Sequence, residues 1–316
     1  DQIGRWLSGH YLAAKNTLEC YHTEFSTALS SFALKEVRGI VEQPVAPSKK
    51  HGGFLVYAGG DDVLALLPAE RALSCAHELR TAFQTATKAI EGQVLSADDP
   101  SGLPVGTPLR LDASVGIAIA HFKAPLQDVV RAAQAAEKRA KRQLGRSAVA
   151  VSLFKRSGGI TEWGCQWKDG GLELHHAIGS ALDHGVLSAK FPHRAIELLE
   201  CYRTGTSPLT SQAQTFTDSP AFAGLVDEII RREFAHILSR QHGPAWPGPA
   251  TADKFTNVEN TGLLDLYLIR LGLKKPHGPD CSAQEKLNRV IGLLTAVAFA
   301  HRTRPAPETP TTGPVA

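Results

Sequence analysis

Tyr57-Ala58-Gly59-Gly60-Asp61-Asp62-Val63 is the stretch on which the reading of the fold turns. Gly53-Phe54-Leu55-Val56 precedes it and Leu64-Ala65-Leu66-Leu67-Pro68 follows. Two short apolar runs around a Gly-Gly-Asp-Asp turn read as a β-hairpin, with strands near 53–58 and 63–67. The glycines take backbone angles that other residues resist and let a ligand approach the main chain closely. The two acids at the tip have two readings. They solvate the turn, or they hold a cation, since hard oxygen ligands beside a phosphate chain are the usual setting for Mg²⁺.

Working outward, Pro68 opens a helical pattern over 69–90, carried by Ala72, Leu73, Cys75, Ala76, Leu79, Phe83 and Ala86. On the other side, Leu12, Leu18, Phe25, Leu29, Phe32, Val37 and Val41 give one apolar face to a helix over 11–43, which Pro44 and Pro47 end. Beyond a Gly- and Pro-rich loop at 91–108, the apolar run 109–120 contains Ser114-Val115-Gly116-Ile117-Ala118 and predicts a central strand. A second amphipathic helix over 125–144 ends in Lys138, Arg139, Lys141 and Arg142, and Gly145-Arg146-Ser147 caps it before a strand at 148–153. Cations in a last helical turn complement the helix dipole, so the basic cluster has a structural reading beside a phosphate-binding one.

After residue 159 the texture changes. Residues 160–170 read as a short irregular segment with Trp163 and Trp167, and helices are expected at 172–184, 192–203, 219–241, 261–272 and 282–301. Trp163, Trp167 and Trp246 are expected to anchor packing between the halves. Residues 303–316, rich in Pro and Thr, are expected to be a disordered tail.

Composition narrows the class. A chain of 316 residues fits two domains at about 150 residues each. A formal charge of +3 does not force a nucleic-acid partner. The five cysteines, Cys20, Cys75, Cys165, Cys201 and Cys281, are widely spaced with no Cys-x-x-Cys pair. That argues against a zinc knuckle or disulfide framework and for the reduced thiols of a cytoplasmic protein. No apolar run approaches the roughly 20 residues of a membrane-spanning helix, so no membrane partner is expected. Methionine is absent and the chain opens at Asp1, which suggests a piece of a longer polypeptide. Asp1 itself reads either as a frayed terminus or as a carboxylate at a strand end.

Four features stand in order: Asp1-Gln2-Ile3-Gly4, Gly59-Gly60-Asp61-Asp62, Ser114-Val115-Gly116-Ile117-Ala118, and Ala140-Lys141 followed by Gly145-Arg146. Together they resemble the palm domain shared by GGDEF diguanylate cyclases and nucleotide polymerases. Asp62-Val63 departs from the diguanylate cyclase hairpin. Asp1-Gln2-Ile3-Gly4-Arg5-Trp6-Leu7-Ser8-Gly9, the full hairpin and Lys155-Arg156-Ser157-Gly158-Gly159 are similar to the large subunit of type III CRISPR effector complexes, type III-B above all. The resemblance implies an α+β fold. A ferredoxin-like palm, an antiparallel sheet with helices on one face, would occupy 1–156, an all-helical domain 157–302, and the tail 303–316.

It also implies an activity: a nucleotidyltransferase that makes cyclic oligoadenylates from ATP when the complex binds target RNA, with two Mg²⁺ or Mn²⁺ ions. Asp61 and Asp62 would be catalytic and, with Asp1, would ligate the metals. Gly59 and Gly60 would let the nucleotide lie against the backbone, and Lys141 would bind phosphate. Ser114 belongs to the same nucleotide-binding set, more as support behind the hairpin. The implied partners are the other subunits of the complex, crRNA and target RNA. The family's first palm, its zinc-bearing region and its HD nuclease domain have no counterpart in this sequence, so the isolated chain is expected to bind nucleotide weakly and not to cyclise ATP. Two alternatives stay open: a non-catalytic scaffold that docks subunits and the RNA duplex, and a GTP-using diguanylate cyclase-like enzyme. Arg231, Arg232, Arg240, Lys274 and Lys275 read as a solvated surface or as nucleic-acid contacts. His175-His176 lacks metal-ligand spacing.

Overall fold

The Gly-Gly-Asp-Asp stretch closes a two-residue hairpin. β1 (Phe54–Gly59) and β2 (Asp62–Leu66) pair antiparallel with Gly59 opposite Asp62, so Gly60 and Asp61 alone form the turn. Gly60 has φ 64° and Asp61 does not take a positive φ. A positive angle at the first turn residue only is the type II′ arrangement, whose twist matches that of the strands. A glycine at position 60 is what makes this turn available. The computed structural model describes residues 3–8, 18–44, 52–91, 111–155, 158–204, 220–257, 259, 261–272 and 282–303.

Ahead of the hairpin lie α1 (Ile3–Leu7), α2 (Leu18–Ser31), a π-helical turn (Phe32–Glu36) and α3 (Val37–Glu42). The π turn interrupts what the periodicity presents as one helix. It carries Phe32 into the core, edge-on to Phe83 with 5.5 Å between ring centres. After β2, a 3₁₀ turn at Ala69–Arg71 leads into α4 (Ala72–Glu91). Arg71 donates to both oxygens of Glu78 (2.5 and 2.6 Å), to Gln43 Oε1 (3.2 Å) and to the Ile40 carbonyl (3.3 Å). These bonds hold the Glu78 carboxyl below its ordinary range and fasten the start of α4 to the end of α3. The inward residues of the hairpin, Leu55, Ala58, Val63, Ala65 and Leu67, pack onto a cluster built from Trp6, Tyr21, Phe25, Phe32 and Phe83.

A second sheet follows. β3 (Val115–Ile119) pairs parallel with β4 (Ala148–Phe154), and β4 pairs antiparallel with β5 (Ile160–Gln166). Between β3 and β4, α5 (Leu126–Arg142) crosses one face of the sheet. A parallel pair requires such a crossover, which is why the sheet is mixed rather than antiparallel throughout. α5 lies directly on β3, since a Cβ at Gly116 would overlap the Ala133 carbonyl oxygen and the Glu137 amide nitrogen. Gly116→Val is therefore expected to destabilise the protein by about 2–3 kcal/mol, the upper part of the overpacking range, because backbone cannot yield as a side chain can. Urea denaturation of the variant measures this, and an unchanged midpoint would show that α5 sits elsewhere.

The other face of the sheet carries the second half of the chain. α6 (Gly171–Asp183), α7 (Phe191–Thr204), α8 (Pro220–Arg240), α9 (Ala250–Asp253), α10 (Leu263–Gly272) and α11 (Ala283–Thr303) follow, all helical. Val149, Val151, Leu153, Trp163 and Cys165 of the sheet join Leu174, Phe191, Phe234, Leu294 and Val297 of the helices in one continuous core. Helices thus cover both faces of this sheet, α5 on one side and the helical half, with the first turns of α4, on the other. Residues 160–166, expected to be irregular, are strand β5, so the sheet continues to Gln166. Trp163 is buried, its ring stacked on His175 at 5.2 Å, which gives that histidine a packing role. The expected tail at 303–316 lies outside the described residues except for Thr303.

Within the helical half, Asp265 is fully buried. It accepts hydrogen bonds from Arg231 Nε (2.9 Å), Thr256 Oγ1 (3.2 Å) and the Asn257 amide (2.9 Å). Arg231 is thereby committed to packing, and Arg232 pairs with Glu228 at 2.6 Å. Lys274 and Lys275 lie outside the described residues. Among the described residues, no helix is long and apolar enough to cross a membrane.

Candidate metal and nucleotide site at the hairpin

Asp61 and Asp62 are both exposed. Neither makes a hydrogen bond or ion pair among the described residues. The strand register fixes where Asp62 goes. Leu55↔Ala65 and Ala58↔Val63 face the core, while Phe54↔Leu66, Tyr57↔Leu64 and Gly59↔Asp62 face away from it. Asp62 therefore begins a strand on the open side of the hairpin, and Asp61 occupies the turn beside it. Two adjacent negative charges without a basic partner repel each other, and a cation between them reverses that sign.

These donors suit Mg²⁺ or Mn²⁺, hard ions that prefer carboxylate oxygen. Among the described residues no group of three or more His, Cys, Asp or Glu side chains could hold a metal, so the hairpin offers two carboxylates toward a set that needs more. Asp1, the expected third, lies outside the described residues. Ile3–Leu7, the helix that follows it, packs through Trp6 into the hairpin's own core, and the Leu7 carbonyl meets His22 Nε2 near the start of α2.

The two glycines differ. The space over Gly60 is open, and a Cβ at that position would meet nothing within 4 Å. Over Gly59, a Cβ would overlap the Tyr57 hydroxyl. Gly59 thus lies under a side chain of its own strand, and the open backbone is at Gly60. Tyr57 reaches this position through a β-bulge between Leu55 and Tyr57, which breaks the alternation of β1.

Lys141 stands in the last turn of α5, half-exposed and ion-paired with Glu137 one turn earlier. Among the described residues it forms no ion pair with Asp61 or Asp62. Its neighbour Arg139 is committed to Glu162 (2.6 Å) and to the Val151 carbonyl (2.9 Å) across the sheet, and burial lowers its pKa. Ser114 immediately precedes β3, beside a junction of several elements. Arg80 of α4 grips Asp112 with two bonds of 2.6 and 2.8 Å, and Ser147 also donates to Asp112. Trp167 Nε1 donates to the Ala113 carbonyl at 2.8 Å, and the Arg80 guanidinium lies 5.2 Å from the centre of the Trp167 ring.

The hairpin is thus backed by helices and presents two open carboxylates at its turn. Residues 1–150, just under half of the chain, match the family Cas10/Cmr2, second palm domain. The chain is 38% identical over 138 residues to the CRISPR system Cmr subunit Cmr2 of Pyrococcus furiosus, a match covering 43% of this chain and 13% of that protein. It is 33% identical over 119 residues to the CMR subunit Cmr2 of Saccharolobus solfataricus, covering 35% of this chain and 10% of that protein. Both relatives are Cmr subunits, the type III-B branch that the motifs resemble, and the match spans only about an eighth to a tenth of their length.

Proposed function

We propose that this chain contributes the nucleotide-polymerising palm of a type III-B CRISPR effector large subunit, and that it joins ATP into cyclic oligoadenylates when the complex has bound target RNA. The observation that carries this is the pair Asp61 and Asp62, open to solvent and without a hydrogen-bond or ion-pair partner among the described residues, at a type II′ turn within a stretch that matches the second palm. In the reaction a 3′-hydroxyl oxygen bonds to the α-phosphorus of a second ATP, the bond to the bridging oxygen breaks, and pyrophosphate leaves. Two divalent ions supply nucleophile activation and charge stabilisation in such chemistry. Asp61 and Asp62 would hold the ions, the open backbone at Gly60 would admit the phosphate chain, and Lys141 would reach phosphate by exchanging its bond to Glu137. The remaining subunits, crRNA and target RNA would supply the facing half of the site and its trigger, in the cytoplasm.

The test is incubation of the assembled complex with labelled ATP, target RNA and Mg²⁺ or Mn²⁺. Cyclic oligoadenylate is the expected product, and EDTA abolishes it. A complex that binds RNA but yields no such product in either metal would make the chain a scaffold.

A further inference from the structure

The outward face of the hairpin is apolar apart from its acidic end. Phe54, Val56, Tyr57 and Leu66 are exposed there, and Leu64 and Asp62 share the face. Tyr57 is on it only because of the bulge. In an uninterrupted strand, Leu55 and Tyr57 would point the same way, into the core. The register runs Leu55↔Ala65 and then Tyr57↔Leu64, so Val56 is an extra residue and Tyr57 is turned outward. Bulges serve to re-aim side chains, often beside active sites. Here the strand gives up a ladder position and the burial of an aromatic ring, leaving Tyr57 56% exposed. In exchange, the tyrosyl hydroxyl end lies over Gly59, which is the residue directly opposite Asp62. The hydroxyl makes no hydrogen bond among the described residues.

We propose that Tyr57 is the stacking plate for the purine base of the nucleotide whose phosphates are held at Asp61 and Asp62. A nucleotide anchored by its phosphates at the hairpin tip has its sugar and base either off the end in water or back along the outward face. Along that face the first ring it meets is Tyr57, cross-strand from Leu64, with Phe54 and Leu66 beyond. An aromatic ring binds the π-face of a base without needing a hydrogen-bond code. The inference rests on the nucleotidyltransferase reading and adds the residue that holds the base.

The experiment uses the assembled complex, with initial rates of oligoadenylate formation measured against ATP concentration. Tyr57→Ala is expected to raise KM for ATP about ten-fold, the size of one lost base stack, with kcat within about two-fold of the parent. Tyr57→Phe and Tyr57→Trp keep the parent KM, since the ring and not the hydroxyl is used. Val56→Ala, the neighbouring exposed position, leaves KM unchanged. The inference is overturned if Tyr57→Ala leaves KM unchanged, or if the alanine, phenylalanine and tryptophan variants are impaired alike. Asp61→Ala with Asp62→Ala is run in parallel. If that variant still makes product, the site assignment fails, and the Tyr57 inference fails with it. If it is inactive while Tyr57→Ala is silent, only the Tyr57 inference fails.

Discussion

Replacing Asp61 and Asp62 together by Ala is expected to lower oligoadenylate formation by the assembled complex about a thousand-fold or more, with no loss of stability. Metal-held charge stabilisation contributes several kcal/mol to the transition state, and about 4 kcal/mol corresponds to three orders of magnitude in rate. The stability half of the prediction comes from exposure. Neither carboxylate has a partner to lose among the described residues, and surface changes of this kind stay within about 0.5 kcal/mol. Removing two adjacent like charges even relieves a repulsion. Paired measurement of product by labelled ATP and of the melting curve therefore separates a chemical role from a structural one. A variant that loses activity and stability together would place these residues in the fold instead, and one that keeps activity would remove them from the site.

The largest structural effect is expected at Asp265. Its carboxylate is fully buried and takes three hydrogen bonds, from Arg231, Thr256 and the Asn257 amide. Asp265→Ala would leave the mostly buried Arg231 guanidinium and a backbone N–H without their acceptor. Breaking one side of a buried pair costs about 3–5 kcal/mol, a large part of the total stability of a typical domain. Asp265→Asn keeps one acceptor oxygen and is expected to recover part of the loss. Changing Arg231→Leu and Asp265→Leu together removes both charges and is expected to cost less than Asp265→Ala alone. Denaturant midpoints for the three variants decide this, and an alanine variant as stable as the parent would mean that the network carries no weight.

What was legible in the sequence was local. The hairpin announced itself because the turn residues and both strands lie within about 15 positions, and a type II′ turn asks for a glycine where Gly60 stands. The five longer helices of the second half were legible from their periodicity, to within a residue or two at most ends, while the four-residue α9 (Ala250–Asp253) was not. β5 was not. Gly158 and Gly159 precede it and Gly164 interrupts it, so its β signal is weak until β4 pairs with it. The bulge was equally hidden, since Phe54-Leu55-Val56-Tyr57 reads as ordinary strand and only the partner register shows the extra residue. Long-range ties left no trace either. Arg80 finds Asp112 across 32 positions and Arg231 finds Asp265 across 34. Conversely, the spacing of Glu137 and Lys141 foretells their i,i+4 pair.

The single core joining the sheet to the helical half bears on how the chain is made. A ribosome delivers residues from the N-terminus onward at about 5–20 per second. The hairpin and its backing helices, all within the first 91 residues, have their own cluster and can close early. The face of β4 and β5 cannot. Its cover includes Leu294 and Val297 of α11 as well as Leu174 of α6, so Val149, Val151, Leu153 and Trp163 stay only partly covered for more than a hundred further residues of synthesis. During that interval the nascent chain presents part of an apolar sheet surface to chaperones and to other chains, and α11 completes its cover.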